Sequence, residues 1–445
     1  MNLAQLKDYE GDAIIDQNGS YSFDQLNDKI DAYDSYLKTR ITTGDIVVID
    51  SDYSFNAIVL LLSLSKLSIV IIPIVRTTEQ EFKDKIQASE PNKIISIESD
   101  STLNVQVLSE EKSTYNNYIE IVSKENSGIV LFSSGTTGVP KVMVHNFTVL
   151  IESFKKPRKQ RGLKFLLFLL FDHIGGLNTL LSCLNNGSPV VLPHDRNTGV
   201  VLDIIEKHKV QVLPTSPTFL NLLLMDPNFE KRDLSSLKLV TYGTEKMPPE
   251  LLRKLHEAVP AVKLLQTFGT SETGILKTKS KSSSSLFFKI VDEDIEYKIK
   301  NNQLFIKSKT SVNGYKDVDS DQFQSDGWFA TGDLVEVDEE GYLKVVGRLK
   351  EVINIGGLKV LPIEVEDVIN SIEKVIDCTV FAKENAITGQ MVCVNVAALE
   401  NTDLSQLKKE IKLVCKNNLD KYKRPVKINM THGLEHTTRF KKSIN

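Results

Sequence analysis

After an apolar run that ends at Phe132, the chain reads Ser133-Ser-Gly-Thr-Thr-Gly-Val-Pro-Lys141. The two glycines allow a backbone to fold tightly around an anion, the hydroxyl groups can donate hydrogen bonds to phosphate oxygens, and Lys141 adds positive charge. It is not a Walker A loop, because Gly135 and Gly138 are three residues apart and Pro140 precedes the lysine. The segment therefore indicates either a phosphate-binding loop after a buried strand or a surface loop rich in small polar residues.

The sequence around this segment alternates between two patterns. Short apolar runs typical of buried strands are separated by segments with helical periodicity. A helix is expected to open at Tyr21–Leu26, with Ser22 as its N-cap and Gln25 as the capping-box partner. The apolar stretch Ala57–Ile72 predicts a buried helix over 57–65 and a strand over 69–72. Strands that alternate with helices predict a layered α/β body.

The second half of the chain has a different pattern. Lys277–Ser285 is of low complexity and predicts a mobile loop. Alternating strand patterns follow, including a hairpin turned by Asp338-Glu-Glu-Gly341, and a small α+β unit is expected from Glu351 onward. The predicted fold class is thus α/β plus α+β, with a large N-terminal domain (residues 1–349) and a small mobile C-terminal domain (residues 350–445).

Composition excludes several classes of protein. The 445 residues carry 58 acidic and 54 basic side chains, a net charge of −4, which disfavours a nucleic-acid partner. Four cysteines without C-x-x-C spacing favour neither a disulfide scaffold nor a zinc site. The longest apolar stretch is shorter than the ~18 residues of a membrane span and contains Lys66. Because residues 1–10 also lack signal-peptide features, a cytoplasmic location is expected.

Two further turns carry residues suited to nucleotide chemistry. Gln266-Thr-Phe-Gly-Thr-Ser-Glu272 follows an apolar strand, and its carboxylate beside hydroxyls could hold Mg²⁺. Ala330-Thr-Gly-Asp333 could hydrogen-bond a ribose diol. Taken singly, the first is equally a capped helix start, and the second is an ordinary turn.

The order of these segments resembles the adenylate-forming superfamily of acyl-CoA synthetases, nonribosomal peptide adenylation domains and luciferases, with the closest pattern in acyl-CoA synthetases. The resemblance covers nearly the whole chain. It rests on motifs in this order: Tyr21-Ser-Phe-Asp-Gln-Leu26, Gly44-Asp45, Pro73, the loop ending in Pro140-Lys141, Asp172-His-Ile-Gly-Gly176, Phe268-Gly-Thr-Ser-Glu272, Gly314-Tyr315, Gly327-Trp-Phe-Ala-Thr-Gly-Asp333 and Gly347-Arg348.

The resemblance implies a set of nucleotide-binding residues. Glu272 would bind Mg²⁺, Phe268 would stack on adenine, Gln266 would meet the adenine amine, and Asp333 and Arg348 would bind the ribose hydroxyls. Thr137 and Lys141 are expected to take part in catalysis. The remaining ATP contacts are expected from Ser133, Ser134, Gly135, Thr136, Gly138, Gly269 and Ser271.

The resemblance also implies residues for the acyl group, the thiol and the domain movement. His173 would line the acyl and thiol passage and take part in catalysis, although a histidine beside apolar residues is otherwise usually structural. Lys350 occupies the hinge position. The other expected acyl and thiol contacts are Gly175, Gly176, Tyr242, Gly243, Thr267, Gly356 and Gly357.

The C-terminal segment Glu435-His-Thr-Thr-Arg-Phe-Lys-Lys442 is the least regular match. Alignment of Thr438 with the family's terminal motif places Lys442 at the catalytic lysine that contacts the substrate carboxylate and the α-phosphate. Lys441 is the alternative, and a basic frayed terminus is a third interpretation.

The predicted function is ATP-dependent activation of a small carboxylic acid to an acyl-adenylate, with release of pyrophosphate, followed by acyl transfer to a thiol. The expected cofactors are ATP, Mg²⁺ and coenzyme A. Two alternatives stay open: a ligase that loads the phosphopantetheine of an acyl carrier protein, and an inactive acyl-nucleotide-binding protein. An amino-acid substrate is disfavoured because His173-Ile-Gly-Gly176 follows Phe171-Asp172. Oligomeric state and acid identity are not predicted.

Overall fold

The computed structural model describes residues 3–134, 140–154, 160, 162–312, 314–316 and 320–432. The α-helices are α1 Phe23–Leu37, α2 Phe55–Leu64, α3 Glu79–Ser89, α4 Asn116–Ser123, α5 Phe147–Glu152, α6 Ile174–Asn185, α7 Thr198–His208, α8 Pro217–Met225, α9 Pro249–Ala258, α10 Pro362–Asn370 and α11 Leu404–Asn418.

The strands are β1 Asp12–Asp16, β2 Gly19–Ser22, β3 Ile46–Asp50, β4 Val70–Ile74, β5 Lys93–Ile97, β6 Leu103–Val107, β7 Gly128–Ser134, β8 Pro140–Asn146, β9 Phe165–Leu166, β10 Val190–Val191, β11 Val212–Thr215, β12 Leu239–Tyr242, β13 Lys263–Gln266, β14 Phe268–Thr270, β15 Gly274–Leu276, β16 Thr278–Ser280, β17 Phe288–Ile290, β18 Ile295–Lys300, β19 Gln303–Ser308, β20 Phe329–Val337, β21 Leu343–Arg348, β22 Ile353–Ile355, β23 Leu358–Val360, β24 Val375–Asn385, β25 Gly389–Ala398 and β26 Lys427–His432.

Two mostly parallel sheets form the large domain. One has the order β6-β5-β3-β4-β7-β8, and the other has the order β13-β12-β11-β9-β10-β1-β2. The largest buried cluster joins Ile49 of β3, Leu61 of α2, Leu180 of α6 and Ile14 of β1, so both helices lie between the sheets. An antiparallel sheet, β16-β17-β21-β20-β19-β18, completes this part of the chain.

The C-terminal unit has its own core. Its sheet has the order β23-β22-β25-β24, with β26 paired to β25. Val365 of α10, Val394 of β25 and Ile411 of α11 belong to one buried cluster. The predicted fold class is therefore confirmed: a large α/β domain is followed by a smaller α+β domain.

Local signals in the sequence explain several elements. The Ser22 side chain accepts a hydrogen bond from the Gln25 N–H, and the Gln25 side chain accepts one from the Ser22 N–H, so the predicted capping box is confirmed.

All four cysteines are free and buried. Within the described ranges, no helix is long and apolar enough to cross a membrane.

The prediction of a mobile loop at Lys277–Ser285 is wrong. Thr278–Ser280 forms β16 and pairs with β17. The hydroxyl of Ser280 accepts a hydrogen bond from the Gln266 N–H at 2.9 Å, and that of Ser283 accepts one from the Leu264 N–H at 3.1 Å. These serines therefore satisfy the backbone donors of edge strand β13, which a compositional rule does not detect.

Candidate active site

The proposed phosphate loop connects two antiparallel strands, β7 and β8. Ser133 lies opposite Lys141, near the end of β7 and the start of β8. Lys141 thus belongs to a strand rather than to the loop itself. The predicted contacts Gly135, Thr136, Thr137 and Gly138 lie outside the described residues, as do the two candidate lysines Lys441 and Lys442.

Glu272, the predicted Mg²⁺ ligand, sits in the turn between β14 and β15. The Thr270 hydroxyl accepts hydrogen bonds from the backbone N–H groups of Glu272 and Thr273, both at 3.2 Å, which fixes the turn. The Tyr315 hydroxyl donates to Glu272 Oε1 at 2.7 Å. Lys141 Nζ lies 4.9 Å from the centroid of the Tyr315 ring. The structure thereby brings together the predicted metal ligand and the predicted phosphate-binding lysine.

The Tyr315 phenol is suited to donate this hydrogen bond. Burial, together with the neighbouring Glu272 carboxylate, raises the pKa of Tyr315 above its ordinary value. The phenol therefore keeps its proton at neutral pH and is the donor of the hydrogen bond to Glu272.

The donor set at Glu272 suits Mg²⁺. Over the described part of the chain, no group of three or more histidine, cysteine, aspartate or glutamate side chains could hold a metal ion. Mg²⁺ commonly binds through one or two carboxylates, several waters and substrate phosphates. A single half-buried carboxylate fits an ion that arrives with the nucleotide.

The predicted ribose site is formed by two paired strands. Asp333 of β20 lies opposite Arg348 of β21, and Arg348 Nε donates to Asp333 Oδ1 at 3.2 Å. The Asp333 side chain is only 7% exposed, whereas that of Arg348 is 56% exposed. Burial raises the pKa of Asp333 above its ordinary value, and the Arg348 guanidinium partly offsets that rise. Arg348 thus helps to keep a buried acceptor ionised.

Arg348→Met should make ATP binding more sensitive to acid. Loss of the guanidinium raises the pKa of Asp333 further. In the predicted ribose contact the ionised carboxylate is the hydrogen-bond acceptor. The KM for ATP should therefore rise as pH falls through that pKa, and the rise should begin at a higher pH in the variant. At pH 7 we expect KM to increase about tenfold, as for a lost charge-assisted hydrogen bond. Measurement of the KM for ATP between pH 5 and 8 checks this prediction. Normalised pH profiles of Arg348→Met and the wild type that superimpose would contradict it. Arg348→Lys is the control and should restore much of the wild-type profile.

Gln266 is the last residue of β13, and Phe268 is the first residue of β14. Gln266 Oε1 is buried without a hydrogen-bond partner among the described residues, so an acceptor is left for a ligand N–H such as the adenine amine. The Phe268 ring packs on Phe288 with centroids 5.6 Å apart. A Cβ at Gly269 would collide with the Gly274 carbonyl oxygen, so packing of β14 on β15 requires glycine at position 269. Ser271 lies in the turn after β14.

His173 and the two glycines after it open helix α6. His173 is the N-cap, and its Nδ1 accepts a hydrogen bond from the Gly175 N–H at 3.0 Å. A Cβ at Gly175 would lie 2.8 Å from Leu169 Cδ1, and one at Gly176 would collide with the Leu170 carbonyl oxygen. Close approach of the preceding backbone therefore explains Gly176, whereas a side chain at position 175 would meet only the end of the Leu169 side chain and the His173 ring.

Asp172, which precedes His173, forms a buried ion pair. Lys85 Nζ lies 2.9 Å from Asp172 Oδ2, and the two side chains are 2% and 1% exposed. Lys85 also pairs with Glu81 at 2.9 Å. A protein cation already neutralises the carboxylate that amino-acid adenylation would use for the substrate ammonium. This arrangement supports the expectation against an amino-acid substrate.

Lys85→Met should destabilise the large domain, because it leaves the Asp172 charge buried without this cation. We expect the free energy of unfolding to fall by about 3–5 kcal/mol. Lys85→Met combined with Asp172→Leu should recover most of the loss, since an apolar pair leaves no buried charge. Urea unfolding followed by circular dichroism compares the variants; equal destabilisation by the single and double changes would contradict the assignment.

Tyr242, Gly243 and Thr267 lie where β12 and β13 end. The Tyr242 side chain belongs to the buried cluster around Val240, so its ring packs in the core. Thr267 Oγ1 donates to the Tyr242 carbonyl oxygen at 3.1 Å, and a Cβ at Gly243 would collide with that hydroxyl. These residues hold two strand ends in close contact.

The predicted hinge and thiol-facing glycines are exposed. Lys350 lies in a single 3₁₀ turn, Leu349–Glu351. Gly356 and Gly357 have φ angles of 58° and 92° in the turn between β22 and β23, and a Cβ at either position would meet nothing described within 4 Å. An open turn is compatible with a thiol acceptor, but the structure does not bring these glycines into contact with the nucleotide residues described above.

Sequence reasoning missed three residues that organise this site. Tyr315 belonged to a quoted motif but had no assigned role, and Lys85 had no assigned role either. His145 is buried at the end of β8, with Nδ1 3.4 Å from the Thr310 carbonyl oxygen, and burial lowers the pKa of His145. A histidine directly after the apolar run Val142–Val144 was the available signal for His145.

Comparisons with known proteins place this arrangement in a family. A protein named "Probable CoA ligase CCL5" from Humulus lupulus is 28% identical, over 86% of this chain and 80% of that protein. 4-Coumarate–CoA ligase 3 of Arabidopsis thaliana is 27% identical, over 64% of this chain and 56% of that protein. The solved anthranilate CoA ligase with anthranoyl-AMP has the same fold, with a TM-score of 0.80 at 20% identity over 98% of this chain and 94% of that one.

The family models decide the assignment. The model described as AMP-binding enzyme matches residues 4–301, and that of its C-terminal domain matches residues 364–441. The predicted resemblance to adenylate-forming enzymes is confirmed, and the chain belongs to the AMP-binding enzyme family.

Proposed function

We propose that this protein is an AMP-forming ligase that joins a carboxylic acid to ATP, releases pyrophosphate, and transfers the acyl group from the adenylate to the thiol of coenzyme A. The observation that carries the proposal is that Lys141 and Glu272 both contact Tyr315, which brings the predicted phosphate-binding lysine and the predicted metal ligand together. Three separate parts of the chain meet there to place a cation and a carboxylate together.

The phosphates, the ribose and the adenine of ATP are each assigned their own residues. Lys141 and the hydroxyls of the β7–β8 turn bind the β- and γ-phosphates, Asp333 and Arg348 bind the ribose, and Gln266 accepts from the adenine amine. Glu272 would hold Mg²⁺, which when bound supplies positive charge that neutralises the phosphates. Cations arranged in advance stabilise the charge that develops at the α-phosphorus.

The carboxylate of the substrate is its own nucleophile, so the first step needs no protein base. His173 is proposed to line the passage for the acyl group and the thiol. It is the N-cap of α6, and its Nδ1 accepts the Gly175 N–H, which fixes the orientation of the ring. Lys442 is proposed to contact the carboxylate and α-phosphate, and Lys350 is proposed to absorb the movement of the C-terminal domain before thiol attack.

Coenzyme A is proposed as the acceptor because the relatives reported above are named as CoA ligases. An acyl carrier protein is the second candidate acceptor.

The acid substrate is identified by experiment. The test begins with ATP–pyrophosphate exchange over a library of acids that includes 4-coumarate and anthranilate. The best acid is then given with coenzyme A or with a holo-carrier protein. Release of AMP that depends on coenzyme A supports the proposal. Release of AMP with the carrier protein alone would identify the carrier protein as the acceptor. Absence of exchange with every acid would favour an inactive nucleotide-binding protein.

A further inference from the structure

Tyr315 lies where the backbones of three segments are held together. The Lys316 N–H donates to the Val142 carbonyl oxygen at 3.0 Å, and Tyr315 itself forms an antiparallel bridge with Met143 of β8. On the other side, the Val312 N–H donates to the Glu272 carbonyl oxygen at 2.9 Å. The segment around Tyr315 is thus attached both to the strand that carries Lys141 and to the turn that carries Glu272.

The Tyr315 side chain has little freedom to move. It is 8% exposed, and its ring packs edge-on against Phe323 with centroids 5.3 Å apart. Its hydroxyl lies 2.7 Å from Glu272 Oε1, and the Lys141 ammonium lies 4.9 Å from its ring centroid, within the range of a cation–π contact. One rigid phenol therefore contacts both an anion and a cation of the site.

We propose that Tyr315 is a positioning residue of the metal–nucleotide site: its hydroxyl fixes one carboxylate oxygen of Glu272 so that the other binds the metal ion, and its ring holds Lys141 beside the phosphates. This inference rests on the proposed function, in which Glu272 binds the ion that accompanies ATP. Hydrogen bonds from neighbouring groups commonly orient carboxylates that bind metals, and removal of such a partner weakens metal binding about 10–100-fold.

Two substitutions separate the two contacts of the phenol. Tyr315→Phe removes the hydroxyl and keeps the ring, whereas Tyr315→Leu removes both. With α,β-methylene-ATP present and Mn²⁺ as a paramagnetic probe, electron paramagnetic resonance should show that Tyr315→Phe raises the Mn²⁺ dissociation constant about tenfold. In the presence of EDTA, Tyr315→Leu should weaken binding of the same nucleotide about threefold, and Tyr315→Phe should not.

Controls separate positioning from general loss of packing. Tyr33→Phe is the matched change: Tyr33 is 6% exposed, and its hydroxyl donates to Asn56 Oδ1 at 3.1 Å, away from the nucleotide residues. It should leave Mn²⁺ and nucleotide binding as in the wild type. Tyr315→Phe in a Glu272→Gln background should cause no further loss, because the hydroxyl acts through that carboxylate.

The outcomes test the positioning role of Tyr315 separately from the metal-binding role of Glu272. Wild-type Mn²⁺ affinity in Tyr315→Phe, together with weakened affinity in Glu272→Gln, would overturn the role of Tyr315 and leave the proposed function standing. Additive losses in the double variant would overturn it as well. Wild-type affinity in both Glu272→Gln and Tyr315→Phe would overturn the assignment of Glu272 as the metal ligand.

Discussion

Glu272→Gln is expected to lower kcat/KM for ATP–pyrophosphate exchange by about a hundredfold or more, the scale seen when a catalytic electrostatic contact is removed. The amide keeps the shape of the side chain, and its oxygen still accepts the hydrogen bond from the Tyr315 hydroxyl. The charge that would bind the ion is lost, whereas the turn held by Thr270 remains. The midpoint temperature of thermal unfolding should therefore stay close to that of the wild type.

Magnesium dependence distinguishes this result from a general defect. Higher Mg²⁺ should recover part of the exchange activity in Glu272→Gln, because weaker binding is partly offset by mass action. Glu339→Gln, in the exposed turn between β20 and β21, is the matched control and should behave as the wild type. Unchanged activity of Glu272→Gln at low Mg²⁺ would show that Glu272 is not the metal ligand.

Lys350→Pro is expected to separate the two half-reactions. Proline fixes φ near −65°, which suits a 3₁₀ turn, and at the second residue of that turn the missing N–H removes no intrahelical hydrogen bond. A hinge must absorb a large rotation in a few dihedral angles, and proline restricts one of them. We expect adenylation to persist and thioester synthesis to fall on the order of a hundredfold.

Two contacts join residues on either side of the predicted hinge in the arrangement that this structure shows. Lys246 Nζ lies 3.2 Å from Glu351 Oε2, and Asn221 Nδ2 donates to the Ile376 carbonyl oxygen at 3.1 Å. Lys350→Ala, which leaves the backbone free, is the control and should support both half-reactions. The kinetic comparison is exchange against overall thioester synthesis; an equal fall of both in Lys350→Pro would mean that the nucleotide site or the fold was damaged.

The sequence was informative wherever a structure depends on near neighbours. The capping box of α1 uses residues three positions apart, and the buried helix α2 and strand β4 follow from a continuous apolar run. Motif order was equally informative for the site, since Asp333 and Arg348 meet through an ordinary hairpin.

Contacts between distant segments could not be predicted in this way. The Tyr315 hydroxyl reaches a carboxylate 43 residues away, and Lys85 pairs with an aspartate 87 residues away. No periodicity or turn rule links such positions, because the tertiary fold alone brings them together. The serines that satisfy edge strand β13 looked like a flexible run for the same reason.

The most direct test of the account follows oxygen atoms from the acid into the nucleotide. The best acid from the exchange screen is prepared with ¹⁸O in both carboxylate positions and incubated with ATP and coenzyme A, and the products are weighed by mass spectrometry. If the carboxylate attacks the α-phosphorus and the thiol then attacks the carbonyl carbon, AMP gains one ¹⁸O atom and the thioester keeps one. Unlabelled AMP, or label in inorganic phosphate beside ADP, would contradict formation of an acyl-adenylate by this protein.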